Sequence, residues 1–145
     1  MTTVSFPSHP FGVTITTDDI VASMTNANGW EDRYRQVIQF GKQLPTLPDA
    51  LKTDTVKVSG CESQVWLVKC CENGKYHFAA DSDARIVKGL ICLVLAAYEG
   101  KTAAQIQQFD IDAYFEQLGL LAHLSPSRSN GLKAIVEEIR TFVSR

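Results

Sequence analysis

Gly60-Cys61-Glu62-Ser63-Gln64-Val65-Trp66-Leu67 is the stretch on which the reading of this chain turns. Ahead of it, residues 55–58 (Thr-Val-Lys-Val) alternate like a short strand, and residues 64–71 are rich in β-branched and aromatic side chains. The string between them reads as a strand-to-strand connection. Gly60 supplies the backbone freedom of a tight connection, and Glu62, Ser63 and Gln64 suit a turn better than an interior. The Cys61 thiol is therefore expected on a loop tip. The competing reading is a small half-buried cysteine that merely falls near a turn.

Moving outward, residues 75–80 read as the next strand, because Asn73-Gly74 between two β-rich runs is a strong hairpin signal. With 55–58 this makes about three antiparallel strands. Thr16 to Asp19 can start a first helix, with Ile20, Val21 and Met24 as its apolar stripe. Trp30, Tyr34, Val37 and Ile38 recur at helical spacing, with Gly41 as a C-terminal stop before Pro45 and Pro48. Trp30 and Tyr34 read as core anchors rather than a cofactor box. Asp81-Ser82-Asp83 offers caps and negative charge at the start of a helix that is apolar on nearly all sides. Thr102 and Gln105 fit a capping box, Ile111, Tyr114, Phe115 and Leu118 a helix ending near Gly119, and Leu132, Ile135, Val136, Ile139 and Val143 the buried side of a last helix. The expected class is α+β: one domain over 1–145, a small antiparallel sheet of about three strands, helices packed mainly on one face, and 1–15 as a poorly ordered or extended N-terminal arm.

The chain of 145 residues, 45% apolar, is long enough for one core and too short for two comfortable domains. A net charge of −2 gives no basic field for a phosphate backbone, so nucleic acid is a poor partner. The longest apolar stretch, 89–98, is shorter than the ~20 residues that span a bilayer, and no basic-then-apolar segment opens the chain. A cytoplasmic location with reduced thiols is expected. Of the four cysteines, Cys92 sits in the apolar helix as core. Cys70 and Cys71 are adjacent on a strand and should face opposite ways. No pair has zinc-site or thioredoxin-like spacing; His77 could approach a cysteine across the hairpin but reads as an ordinary cross-strand neighbour, and His9 and His123 lack partners at ligand spacing, so no metal is expected.

The Cys61 string resembles the signature of the SufE/CsdE family, the sulfur-accepting partners of cysteine desulfurases. The similarity continues through Trp30-Glu31-Asp32-Arg33-Tyr34, Gly41-Lys42-Gln43-Leu44-Pro45, Asp81-Ser82-Asp83, Ile86-Val87-Lys88-Gly89-Leu90 and Leu124-Ser125-Pro126-Ser127-Arg128-Ser129-Asn130-Gly131-Leu132, in the family's order and over nearly the whole chain from Thr16. His9-Pro10-Phe11-Gly12 and Glu99-Gly100-Lys101-Thr102 look more like the CsdE branch. Trp66 and Gln64 belong to the same signature, Trp66 as an anchor at the base of the loop.

An ordinary thiol, with a pKa of about 8.5, is only a few per cent thiolate at neutral pH and needs a cation or a helix N-terminus to do more. The residues around Cys61 supply neither, and nothing completes a cysteine hydrolase. A thiol used by a partner fits better. The resemblance implies that the partner is a desulfurase of the CsdA/SufS type, which carries the pyridoxal phosphate, so that this chain needs no cofactor of its own. It further implies that Cys61 accepts a persulfide sulfur for a downstream acceptor, stimulating the desulfurase without being an enzyme itself. A monomer or weak homodimer is expected. By the same resemblance Arg128 is expected to stabilise the thiolate or persulfide, and Asp83 to restrain the loop. The bland alternatives are a solvated arginine before a helix capped by Ser129 or Asn130, and an aspartate that only caps. Two other functions stay open: an iron–sulfur scaffold, which needs several cysteines to converge, and a thiol redox sensor, which needs a resolving cysteine.

Overall fold

Asn73 and Gly74 both take positive φ, 54° and 75°, as a two-residue type I′ turn requires, and they join strand β1 (Val65–Glu72) to β2 (Lys75–Ser82). The structure, a computed structural model, describes residues 9–58 and 63–144. The two strands pair without a break from Glu72 opposite Lys75 to Val65 opposite Ser82. Alternation sorts their side chains: Val65, Leu67, Phe78 and Ala80 enter the main core, while Val68 and Ala79 meet Leu47 on the other face.

Helices account for the main core. Thr16 and Asp19 form a reciprocal capping box at the start of α1 (Thr17–Thr25), which is followed by α2 (Gly29–Lys42). After the hairpin comes α3 (Arg85–Tyr98), buried at every position from Gly89 to Tyr98, which explains why its sequence shows no polar face. Thr102 and Gln105 cap α4 (Ala103–Gln108), and α5 (Ile111–Leu118) ends on Gly119. The chain closes with α6 (Pro126–Val143). Helix α3 packs on β2 and α6 on β1, so the helices lie on one face of the sheet. The opposite face is covered by the proline-containing connector, through Leu47, Leu51 and Val56. This is the expected single-domain α+β arrangement.

Several local expectations change. The strand expected over 55–58 is a short 3-10 turn at Asp54–Val56 followed by one bridge, Lys57 opposite Trp66. The backbone closes on itself here, with the Val56 N–H donating to the Thr53 carbonyl and the Lys57 N–H to the Asp54 carbonyl at 3.3 Å each, and too few residues are left for a ladder. Gly41 does not stop α2. It lies inside the helix, where a Cβ would come within 2.9 Å of the Gly89 nitrogen, and a Cβ on Gly89 would overlap the Val37 carbonyl. The two glycines let α2 and α3 cross backbone to backbone. Helix α3 begins after Ala84 with no side-chain cap, and helix α6 is capped by Ser125 rather than Ser129 or Asn130.

The described part of the expected N-terminal arm, residues 9–15, docks on the body. Phe11 is fully buried, and the His9 ring is held at both nitrogens. Nε2 donates to the Phe78 carbonyl at 2.9 Å with Glu99 Oε1 at 3.2 Å, while the Phe11 N–H donates to Nδ1 at 3.2 Å.

Candidate functional site

Cys61 lies outside the described residues; both stems of its loop are described. On the incoming side the Val58 N–H donates to the Val65 carbonyl at 2.9 Å, next to the Lys57–Trp66 bridge. On the outgoing side Gln64 is held by the turn between β2 and α3. Its N–H donates to Asp83 Oδ1 at 3.0 Å, and its carbonyl accepts from the Ser82 hydroxyl at 2.7 Å and the Asp83 N–H at 3.3 Å. The acid and hydroxyl that the sequence offers as helix caps are instead turned on the cysteine loop's base.

Ser63, two residues after Cys61, borders a groove of about 250 Å³. Val87 and Leu90 of α3 and Leu132 and Ile135 of α6 make its apolar sides, and Arg128 stands at its rim. Arg128 sits there because Ser125, at the N-cap, accepts its backbone N–H at 3.3 Å, and Pro126 opens the helix with a φ already suited to it. The guanidinium is therefore on the first turn of α6, where the helix dipole is positive, and no ion pair engages it among the described residues. An exposed cation and a helix N-terminus thus border a groove of mixed lining, with Ser63, Ser125 and Ser127 as its polar side, an arrangement that suits an anion.

Sequence reasoning names Arg128 and Asp83, which the fold holds at the groove and at Gln64 respectively. It misses Ser63, Ser125 and Ser127 on the groove, and Ser82 as a loop contact. It also misses Asp81, 3% exposed, whose carboxylate accepts from the Leu47 and Ser82 N–H groups and pairs with Lys52 and Lys88. Trp66 packs under the loop base with Lys52 over its ring at 5.1 Å.

Two of the other three cysteines are poor nucleophiles. Cys92 is fully buried against the Lys88 and Phe40 carbonyls, and burial pushes its thiol far up. Burial also raises Cys70, followed by the charges of Glu72, Glu99 and Cys71. Cys71 is exposed on the next position of the strand, so the two thiols alternate. His77, opposite Cys70, turns its Nδ1 to Glu99 at 2.6 Å, and His123 stacks on Trp30 at 4.7 Å. Among the described residues no cluster of histidine, cysteine and acid could hold a metal ion, and no helix is long and apolar enough to cross a membrane.

Comparison with known proteins agrees with this geometry. Residues 18–143 match the SufE family, described as an Fe-S metabolism associated domain. The sulfur acceptor protein CsdE of Escherichia coli K12 is 50% identical over 140 residues, covering 96% of this chain and 95% of that protein. An uncharacterised SufE-like protein of Rhizobium etli is 46% identical, covering 85% of this chain and 86% of its own. A solution structure of a hypothetical protein from Thermus thermophilus superposes with a TM-score of 0.71 over 90% of this chain and 94% of that one, at 17% identity, a likeness of fold alone. Matched by the family model over residues 18–143 and half identical to a named sulfur acceptor across nearly its whole length, the chain belongs to the SufE family.

Proposed function

We propose that this protein is a sulfur acceptor for a cysteine desulfurase of the CsdA/SufS type, taking sulfane sulfur onto Cys61 and passing it toward iron–sulfur cluster assembly or another sulfur-using route. The reading rests on one observation above the others: Ser63 borders the groove that carries Arg128 and the first turn of α6. Ser63 follows Cys61 by two positions in the sequence, and we take this groove as the surface at which the thiol exchanges sulfur. The name of the half-identical Escherichia coli relative, a sulfur acceptor protein, points the same way.

In the proposed step the Cys61 thiolate attacks the outer sulfur of the donor's cysteine persulfide. The donor S–S bond breaks, a new S–S bond forms on Cys61, and the donor cysteine leaves as thiolate, ready for another turnover. No electrons are gained or lost overall. In this step Arg128 has the task of favouring the charge that Cys61 carries before and after transfer, and the pyridoxal phosphate stays with the desulfurase. The raised thiols of Cys70 and Cys92 make convergence on a cluster or a resolving disulfide a weaker account.

Peptide mass spectrometry tests the proposal after mixing the protein with a desulfurase and L-cysteine. One added sulfur is expected on the Cys61 peptide, and none in Cys61→Ser or without the desulfurase. Sulfur on another cysteine, or none with any desulfurase of this type, would overturn it.

A further inference from the structure

The chain contains three Asn-Gly pairs: Asn28-Gly29, Asn73-Gly74 and Asn130-Gly131. In each, the side-chain amide of the asparagine is open to attack by the next backbone nitrogen, because glycine puts no Cβ in the way. Attack needs an N–H outside any hydrogen bond, an asparagine side chain that can turn, and a peptide plane that can rotate to bring the nitrogen under that side chain. The fold grants these conditions unequally.

Asn130 and Gly131 lie inside α6, past its first four residues, so the Gly131 N–H belongs to the helix's own ladder, and Gly131 is buried. Asn28 and Gly29 open α2. The Gly29 N–H has no acceptor among the described residues and Asn28 makes no side-chain cap bond, but the Asn28 N–H is held on Asp32 Oδ2 at 2.9 Å. That carboxylate opposes the nitrogen anion that attack requires.

Asn73 and Gly74 are exposed at the hairpin tip. Among the described residues nothing engages the Asn73 side chain or the Gly74 N–H, and a Cβ on Gly74 would meet nothing within 4 Å. Here the rotation leaves the sheet in place. Turning the Asn73–Gly74 peptide over converts the type I′ turn into type II′, the other standard two-residue hairpin turn, and the Glu72–Lys75 pair that closes the loop is kept. In the type II′ form ψ of Asn73 is about −120°, which eclipses the Gly74 nitrogen with Asn73 Cβ and sets it within reach of Cγ. Asparagine is disfavoured at that position, so this is a minor form, and a slow reaction can draw on it.

We infer that Asn73 is a spontaneous modification site, at which the chain deamidates in its native fold. The Gly74 nitrogen gives its proton to water or hydroxide and attacks Asn73 Cγ; a C–N bond forms, and the side-chain nitrogen leaves as ammonia. Water then opens the cyclic imide at either carbonyl, giving aspartate or an isoaspartate whose main chain runs through Cβ and Cγ. Neither step is a redox step. The isoaspartate adds one methylene to a two-residue turn whose length sets the strand register, so the Glu72–Lys75 pair cannot close as before. This ageing is independent of the sulfur chemistry.

The test ages the purified protein at mildly alkaline pH, folded and in urea, and follows the amide-to-acid mass gain of the three asparagine peptides, with the two acid isomers separated by chromatography. Each peptide's rate in urea is its own reference. Folding should slow Asn130 at least about tenfold more than Asn73, the weight of one hydrogen bond, and Asn73 should be the fastest of the three in the folded protein. Asn73 slowed as strongly as Asn130, or overtaken by Asn28, overturns the inference. That comparison needs no variant. Asn73→Gly removes the site and suits a turn with two positive φ values, so its Tm should survive ageing while that of wild type falls. An aged wild type as stable as aged Asn73→Gly overturns the effect on the hairpin.

Discussion

Arg128 is the residue at which the sequence and the geometry meet most directly. Its guanidinium, exposed on the first turn of α6 and unpaired among the described residues, lines the groove that Ser63 also borders, and in the proposed function it holds the transferring sulfur anion. Arg128→Ala is expected to slow sulfur acceptance by about tenfold, the weight of one charge-assisted hydrogen bond, with Tm unchanged. Arg128→Lys should recover part of that loss, because the charge remains while the planar fork does not. Single-turnover transfer from a persulfidated desulfurase reads both. At Asp83 the arginine replacement should act in the opposite sense. It removes the acceptor of the Gln64 N–H, and a roughly fivefold rise in Cys61 alkylation is expected; an unchanged rate would return Asp83 to an ordinary turn residue.

The elements explain which parts of the fold can be read from local pattern. Asn73-Gly74, the Thr16/Asp19 and Thr102/Gln105 boxes and the all-apolar α3 are legible because each is decided by residues a few positions apart. Gly41 reads as a stop because a glycine before a proline-rich stretch has that look. Its actual task depends on Gly89, nearly fifty positions away, which no periodicity reveals. Gly89→Ala should therefore destabilise the protein by about 1–3 kcal/mol through overpacking of the α2–α3 crossing, seen as a lowered urea midpoint with an unchanged slope. The strand expected over 55–58 is lost for the opposite reason. Its alternation is real, yet Asp54 and its neighbouring threonines hold the chain in a turn until only Lys57 and Val58 can pair. At the site, Arg128 and Asp83 are legible through family resemblance alone. Asp81 is not, because its lysines come from positions 52 and 88, and a sequence does not say which charges share a carboxylate.

Across the whole molecule the two buried acids set the response to pH. Burial pushes the Asp81 carboxyl up, but the Leu47 and Ser82 amides and the Lys88 and Lys52 charges outweigh it and leave the group below the usual carboxylate range. Glu99 follows the same pattern: burial raises it, while the His9 hydrogen bond, the Phe78 N–H and His77 bring it lower. A group whose pKa falls on folding stabilises the native state fully above its unfolded value, about 3.9 for aspartate and 4.3 for glutamate, and loses that contribution as pH drops through the folded value. Thermal stability should thus be steady from neutrality to about pH 5 and decline below about pH 4. Asp81→Asn should flatten that decline, and a parallel decline in the variant would remove Asp81 from the explanation. One last property follows from the bridges beside the hairpin. A two-stranded sheet is all edge, and an open edge is a template on which a second chain can add a strand. Here Lys57 already occupies the outer side of β1 at Trp66, and Lys101 that of β2 at Tyr76, with the Gly100 amide on the Tyr76 carbonyl. A short lysine-bearing segment thus covers one end of each outer border, shortening the ladder open to amyloid-like stacking of one copy on the next.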